Sequence, residues 1–298
     1  MTQASRALPS LSFEFFPPHT PEASLRLWRS VERLAPLAPR FVSVTYGAGG
    51  TTRDRTNAAI QTIVGRARLN VAGHLTCVGA SREETLEVAR GYARMGVRRI
   101  VALRGDPPKG ETRFVPHPDG FASAAELVAA LKEIGGFEVA VAAYPEVHPE
   151  AASPAADVEN LKRKLDAGAS MALTQFFFEV EDFLRFRDAC AKAGITAPIH
   201  PGVLPVENFG KMLNFAARCR ARVPDWMHAA FARADTPEAA HLLSVAIASE
   251  QCDALIAEGA GHLHVYTLNN PDLTFDVAQA LGYHAAPLAL AADGGGAA

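Results

Sequence analysis

The sequence predicts an α/β protein folded as a single-domain (β/α)8 barrel of the TIM type, on three observations. Eight short apolar segments rich in aromatic and β-branched residues recur along the 298-residue chain, most of them spaced by about the thirty or forty residues of one strand-plus-helix unit. Helical patterns with recognisable ends lie between them, which implies a parallel sheet covered by helices. No Gly-x-Gly-x-x-Gly turn follows the first strand, which counts against the rival open doubly wound sheet. Eight units in a chain of this length close into a barrel.

The first strand reads as Ser12–Phe16, and Thr20-Pro21 then form an N-cap and first helical residue. The helix they open carries the apolar stripe Leu25, Trp28, Val31 and Leu34. Phe41–Tyr46 and Val71–Cys77 are the second and third strands. Ser81 with Glu84 matches a capping box, as does Ser123 with Glu126 on the far side of the fourth strand, Ile100–Arg104. Val139–Tyr144, Ala172–Phe178 and Pro198–Val203 follow, and Gly96, Gly168 and Gly194 sit where helix C-caps belong. The gap before the eighth strand, His262–Leu268, has room for two or three helices. Thr236-Pro237 opens one of these, with the stripe Leu242, Val245 and Ile256. By this reading residues 1–11 are an N-terminal extension, 12–284 the barrel and 285–298 a disordered tail.

Composition excludes several classes. With 49% hydrophobic and 20% charged residues the chain is not of the disordered type. Twenty-nine basic against 32 acidic residues leave no basic excess for a nucleic acid. Apolar runs such as Val139–Tyr144 are far shorter than the roughly 18 residues of a membrane span. Met1–Ser10 has no basic segment followed by an apolar block, so no secretory leader is expected. Cys77, Cys190, Cys219 and Cys252 include no Cys-x-x-Cys pair and fit neither a disulfide scaffold nor a zinc ribbon. The expectation is a cytoplasmic protein with buried or half-buried thiols, no metal, no membrane and no nucleic acid.

In a barrel, functional groups project from the C-terminal ends of the strands. Those ends carry Thr45-Tyr46-Gly47, His74 and Thr76, Arg104-Gly105-Asp106, Tyr144-Pro-Glu146-Val-His148, Thr174-Gln175 and Tyr266-Thr267-Leu-Asn269. Glu14 is the least expected residue, because Phe13 and Phe15 flank it inside a strand. Alternation turns it to the face opposite those rings, the barrel interior. Desolvation there would raise its pKa and keep it protonated for general acid work. Equally open is a structural Glu paired with Arg104 or a neighbouring His. Asp106 is either a turn residue or a ligand contact, beside a Gly105 that permits close backbone approach. Asn160, Arg163 and Lys164 are either a solvated helix face or a grip for phosphates. His74 and His148 lack metal-ligand spacing and read as hydrogen-bonding residues. Gly47-Ala-Gly49-Gly50 is only a loose likeness of a phosphate loop, with no Lys-Ser or Lys-Thr after it.

Taken in order, Ser12-Phe-Glu-Phe-Phe-Pro-Pro18, Val42-Ser-Val-Thr-Tyr-Gly-Ala48, His74-Leu-Thr76, Leu103-Arg-Gly-Asp106, Ala143-Tyr-Pro-Glu-Val-His-Pro-Glu150, Asn160-Leu-Lys-Arg-Lys164, Thr174-Gln-Phe-Phe-Phe178 and Tyr266-Thr-Leu-Asn269 resemble bacterial methylenetetrahydrofolate reductases. The resemblance runs from about Ser12 to about Gly282 and implies a (β/α)8 flavoprotein. Such an enzyme reduces methylenetetrahydrofolate to methyltetrahydrofolate with NADH or NADPH, its two substrates using one site in turn over FAD, and is a homo-oligomer. Glu14 would then be the general acid, and Asp106 would stabilise cationic charge near the flavin. The positions matching the family's FAD contacts are Thr45, His74, Arg104, Gly105, Asp106, Tyr144, His148, Asp157, Asn160, Arg163 and Lys164. Gln175 and Phe215 match folate contacts. Asn270 stands where relatives often carry an Arg for the folate's glutamate tail, and Lys211, one helical turn before Phe215, would supply that charge instead. Phe121 is a further possible contact beyond the loop 109–120. A folate-binding transferase without redox chemistry and a non-catalytic binding subunit are the alternatives.

Overall fold

Alternation along the strands sorts their side chains into two populations, one packed under the helices and one filling the barrel. The computed structural model describes residues 7–47, 52–107, 110, 111 and 113–285. The expected tail beyond residue 285, most of the Gly47–Gly50 turn and part of the loop 109–120 lie outside the described residues. Eight parallel strands close in sequence order: β1 (Ser10–Phe15), β2 (Phe41–Val44), β3 (Val71–Thr76), β4 (Arg99–Leu103), β5 (Glu138–Ala143), β6 (Met171–Phe176), β7 (Ile199–Val203) and β8 (His262–Tyr266). The expected (β/α)8 barrel is what forms. Each expected strand is found, and β1 starts at Ser10, two residues into the segment read as an extension.

Leu11, Phe13 and Phe15 of β1 join the core beneath the helices. Inside the barrel, Phe41, Ala72, Val101, Ala140, Met171 and Leu173 form a separate apolar belt. Above and below that belt the interior is polar, and the polar upper end is the site described next.

The helices are α1 (Pro21–Leu34), α2 (Arg53–Thr62), α3 (Arg82–Arg94), α4 (Ala124–Ile134), α5 (Pro154–Asp166), α6 (Val180–Lys192), α7 (Phe209–Cys219), α8 (Asp225–Phe231), α9 (Pro237–Ala257) and α10 (Pro271–Ala280). The long gap before β8 holds three of them. Thr20 and Thr236 cap α1 and α9 by accepting from Ala23 and Ala239 N–H. The Ser81–Glu84 capping box is complete, at roughly 1 kcal/mol for such a cap. Only half of the second box forms: Ser123 accepts from Glu126 N–H, while the Glu126 carboxylate turns to Arg82. Gly96, Gly168 and Gly194 all have positive φ, as the C-cap reading requires.

Two stripe assignments need correction. Leu25 and Leu242 are exposed, at 62% and 68%. In α1 the buried face is Leu27, Ser30, Val31 and Leu34, so Val31 and Leu34 of the expected stripe hold, Trp28 packs partly buried against the core, and Leu27 takes the place expected for Leu25. In α9 the buried face is Ser244, Ala248, Gln251, Cys252, Leu255 and Ile256, so Ile256 holds and Val245 packs partly buried, while Ser244 and Gln251 anchor the loops above the strands. Ser244 Oγ donates to Val206 O, and Gln251 Nε2 donates to Phe177 O at 2.7 Å.

All four cysteines are free, three of them buried and Cys219 half-buried. Burial pushes each thiol up, to about 12 for Cys77 and Cys252 and about 11 for Cys190 and Cys219. No described helix is long and apolar enough to cross a membrane.

Candidate active site

The C-terminal ends of the strands open into three adjoining depressions. A cleft of about 530 Å³ lies over β4 and β5 and reaches α5, and its lining includes Thr76, Arg104, Asp106, His148, Asn160 and Arg163. A second, of about 520 Å³, runs along α7 past Lys211, Phe215 and Arg218. A central cavity of about 240 Å³ has Glu14, Thr45, His74, Gln175, His264 and Tyr266 in its walls. Asp106 borders both clefts. Phe16 and Phe215 separate the second cleft from the cavity, and Tyr46 and Tyr144 separate the first from it.

Glu14 is at the floor, 8% exposed, and faces the interior as alternation predicts. Its Oε2 lies 3.3 Å from His74 Nε2 and 3.5 Å from His264 Nε2. Burial raises this carboxyl, but the hydrogen bond of His264 and the charge and hydrogen bond of His74 outweigh it and bring it down to about 2. This corrects the expectation that desolvation would hold Glu14 protonated, and of the two alternative partners, Arg104 or a neighbouring His, it is histidine that is found, twice over. The alternative partner, Arg104, is elsewhere, its guanidinium gripping Glu150 through contacts of 2.6 and 3.1 Å.

The wall of the larger cleft is braced from behind. Asp157 Oδ2 accepts the His148 backbone N–H at 2.7 Å, fixing a turn in which Val147 has φ of 77°. A β-branched residue in that region is strained, so the turn is held by its surroundings. His148 packs edge-on to Tyr144, with ring centroids 4.6 Å apart. Burial pushes Tyr144 well up and His148 down, so both are neutral hydrogen-bonding groups. On α5, Asn160 accepts from Arg163 at 3.3 Å, and Lys164 Nζ donates to Ala142 O. Burial, then the neighbouring Arg163, lower Lys164 to about 8, against the opposing pull of Asp157. The face that could have been solvated is therefore a cleft wall.

The same geometry tests the cleft for FAD. Among the described residues, Thr76 Oγ1 is buried there with no partner, and Arg163 and Lys164 bring cationic charge suited to a diphosphate. Gly105, at φ 90°, lies so close to Val78 that a Cβ would stand 2.7 Å from its methyl. A cleft with cations, amide and hydroxyl groups and an unsatisfied hydroxyl fits such a ligand. Thr45 and His74 line the central cavity and not this cleft, and Arg104 reaches it already paired with Glu150.

Gln175 borders the central cavity, where its Oε1 accepts from Phe176 N–H at 3.0 Å. Phe215 stacks on Phe176 at 5.2 Å. Lys211 lies in the cleft with Phe215, whereas Asn270 caps α10 by accepting from Leu273 N–H. Phe121 is buried in the core under the Arg82 guanidinium and lines none of the three depressions. Sequence reasoning missed His264 and Arg218. The alternation His262-Leu-His264-Val-Tyr266 was a signal for an inward polar face on β8. Arg218, a turn beyond Lys211 and one more on from it, was visible only as a helix-surface charge.

A family model described as methylenetetrahydrofolate reductase matches residues 2–282. The chain belongs to the methylenetetrahydrofolate reductase family. Among curated relatives, the 5,10-methylenetetrahydrofolate reductases of Pectobacterium carotovorum and Escherichia coli K12 are 49% and 48% identical to it. Each alignment covers 92% of this chain and 90% of the relative. Membership makes the chain an enzyme and an oxidoreductase. A solved structure from Clostridium thermocellum, described as binding two copies of 5-methyl-5,6,7,8-tetrahydrofolic acid, superposes with TM-score 0.60 at 16% identity over 92% of this chain and 95% of that one. That likeness is one of fold.

Proposed function

We propose that this barrel reduces 5,10-methylenetetrahydrofolate to 5-methyltetrahydrofolate, with electrons from NADH or NADPH passing over bound FAD and the two substrates taking one site in turn. One observation carries the reading: a buried carboxylate, Glu14, lies at the floor of the cavity into which both clefts open, against two imidazoles that can lend it a proton.

FAD would be held in the larger cleft, with Arg163 and Lys164 toward its phosphates and Asn160, His148, Tyr144, Thr76 and the Arg104–Asp106 segment along its length. Bound there, it supplies two-electron hydride chemistry, and the protein supplies placement and electrostatics. Asp157 acts one step removed, by fixing the His148 turn. Phe215 would stack on the pterin or the nicotinamide in turn, and Gln175 would hydrogen-bond the pterin. Lys211 and Arg218 would meet the glutamate carboxylates where Asn270 cannot, since it caps α10.

Opening the folate's five-membered ring requires a proton on the departing nitrogen and leaves a cationic iminium. Glu14 gives that proton. Covering the cavity with an aromatic ligand deepens burial, already the largest single influence on this carboxyl, and favours its protonated form. Asp106, at the junction of the clefts, offsets the positive charge of the iminium. The same reading makes the protein a cytoplasmic homo-oligomer whose catalytic unit is the barrel, from β1 at Ser10 to about residue 284.

The test separates the two half-reactions. Purified protein should be yellow, bleach anaerobically with NADH or NADPH, and recover its colour on adding methylenetetrahydrofolate. Glu14→Gln should bleach but recover at least a hundredfold more slowly, the lower end of what a positioned acid contributes, about 10²–10⁴. Loss of both half-reactions together, or recovery at the wild-type rate, contradicts the reading.

A further inference from the structure

The interior of the barrel below Glu14 holds an unbroken hydrogen-bonded ladder that the reaction as described does not use. On β1, Ser10, Ser12 and Glu14 face inward, and in the parallel register Ser10 pairs with His262 and Ser12 with His264 of β8. Ser10 Oγ lies 2.6 Å from His262 Nδ1, and His262 Nε2 lies 2.8 Å from Ser12 Oγ. Ser12 Oγ is 2.7 Å from His264 Nδ1, and His264 Nε2 is 3.5 Å from Glu14 Oε2. The last link is long, as catalytic hydrogen bonds in unliganded sites often are.

Each imidazole thus uses both ring nitrogens and each is bridged by a hydroxyl, a neutral group that donates and accepts through a single atom. The Phe41 ring stacks on His262 and His264 at 5.6 and 6.1 Å and keeps the two rings in line. Ser12 and both histidines are buried, while Ser10 is half-exposed at the N-terminal mouth of the barrel. The ladder spans four residues of strand, about 13 Å.

We propose that this Ser–His ladder is a proton relay that reloads Glu14 from water at the N-terminal face while cofactor and folate cover the opposite mouth. The inference rests on the proton-donor reading of Glu14. With every donor pointing toward Glu14, His264 Nε2–H protonates the Glu14 carboxylate, and the Ser12 hydroxyl proton passes to His264 Nδ1. His262 Nε2–H then replaces the Ser12 proton, the Ser10 proton passes to His262 Nδ1, and a hydronium ion at the mouth replaces the Ser10 proton, leaving water. One proton enters from solvent for the one given to folate, and no charge is left in the ladder. Reorientation of rings and hydroxyls restores the donor order before the next pass.

The surroundings favour transit over storage of charge. Burial, then the proximity of His200, His264, Arg40 and Arg99, push His262 down to about 2. Burial, then Arg40, His264 and Arg99, push His200, whose ring centroid is 4.5 Å from that of His262, down to about 4, against an opposing pull from Glu138. A neutral imidazole beside cations passes a proton on and does not keep it.

The experiment uses the FAD-loaded enzyme. Nitrogen-15 NMR of the histidine rings should find His262 and His264 neutral, both with the proton on Nε2; a proton on His264 Nδ1 in the resting enzyme reverses the donor order and overturns the relay. Ser12→Ala cuts the ladder at its centre. It should lower the single-turnover rate of folate reduction at least tenfold and enlarge its solvent deuterium isotope effect, with the folate KM unchanged, and Ser12→Thr should restore the rate. His262→Phe keeps the stack on Phe41, removes both nitrogens and should behave like Ser12→Ala, which covers the case that one variant misfolds. A wild-type rate and isotope effect in either folded variant, or no rescue by Ser12→Thr, overturns the relay. If Glu14→Gln blocks folate reduction while Ser12→Ala does not, the relay alone fails; if Glu14→Gln reduces folate normally, the proton-donor reading fails with it.

Discussion

Replacing Gly202 with Ala tests how the cavity above Glu14 is shaped. Gly202 lies on β7 facing the interior, and a Cβ there would stand 2.2 Å from the Thr174 carbonyl oxygen and 2.7 Å from the Tyr266 ring. Both neighbours are committed: Tyr266 OH donates to that same carbonyl at 2.7 Å, and Gly202 N–H donates to Thr174 Oγ1 at 2.8 Å. An ordinary contact needs about 1 Å more room, so the Tyr266 bond must break or β6 and β7 must part. Overpacking of this kind costs about 1–3 kcal/mol, and a buried carbonyl losing its partner about 1 kcal/mol more. The sum is about 2–4 kcal/mol, a fall in Tm of roughly 3–6 °C for a chain of this size. Thermal unfolding by circular dichroism reads it directly, and displacement of Tyr266 into the cavity should also raise the KM for folate severalfold. Tyr266→Phe, which removes only the hydroxyl, should cost about 1 kcal/mol. A Gly202→Ala Tm within a degree of wild type would refute the close-approach argument.

Asp106→Asn should slow folate reduction by about tenfold or more while leaving flavin bound, as followed by stopped-flow absorbance; wild-type folate turnover would remove its electrostatic role. Lys211→Ala and Arg218→Ala should each weaken folate binding by about two- to fivefold, since exposed ion pairs are worth about 0.2–1 kcal/mol, with the loss shrinking at high salt. Unchanged affinity in the Lys211 variant would mean that it does not replace the missing charge at Asn270. Lys164 binds phosphate as an ammonium, and its burial brings it down to about 8, so FAD affinity should be flat below pH 8 and fall by up to tenfold per unit above it. Fluorescence of released flavin measures this, and Lys164→Gln should abolish the dependence. The fold itself has the opposite sign: the unfolded chain holds this proton up to the ordinary lysine range, so the Lys164 contribution to stability rises with pH between about 8 and 10.5.

The strands were legible because a parallel strand buried on both faces is a short apolar run, and its helix neighbours announce their ends with Thr-Pro, Ser-x-x-Glu and Gly. The rim was legible because the barrel rule brings strand ends together whatever their separation in sequence. Pairing was not. Nothing local marks Arg104 for Glu150, forty-six residues on, or Glu14 for His264, which is 250 residues away. The raised carboxyl expected at Glu14 followed from desolvation in the barrel interior, on the face opposite the Phe13 and Phe15 rings, which do point outward into the helix core. Its neighbours in space are histidines on β3 and β8, and they reverse the direction. Leu25 and Leu242 were misplaced for a related reason: a helix near the rim buries residues that anchor loops as readily as apolar ones.

The central claim is that Glu14 carries the proton at the moment folate is reduced. Infrared difference spectroscopy of the enzyme with FAD and a folate analogue bound tests it most directly. A protonated carboxyl band should appear when the analogue binds, shift in heavy water and be missing from Glu14→Gln. A carboxylate that stays ionised at position 14 across the working pH range, with both ligands in place, would contradict the account.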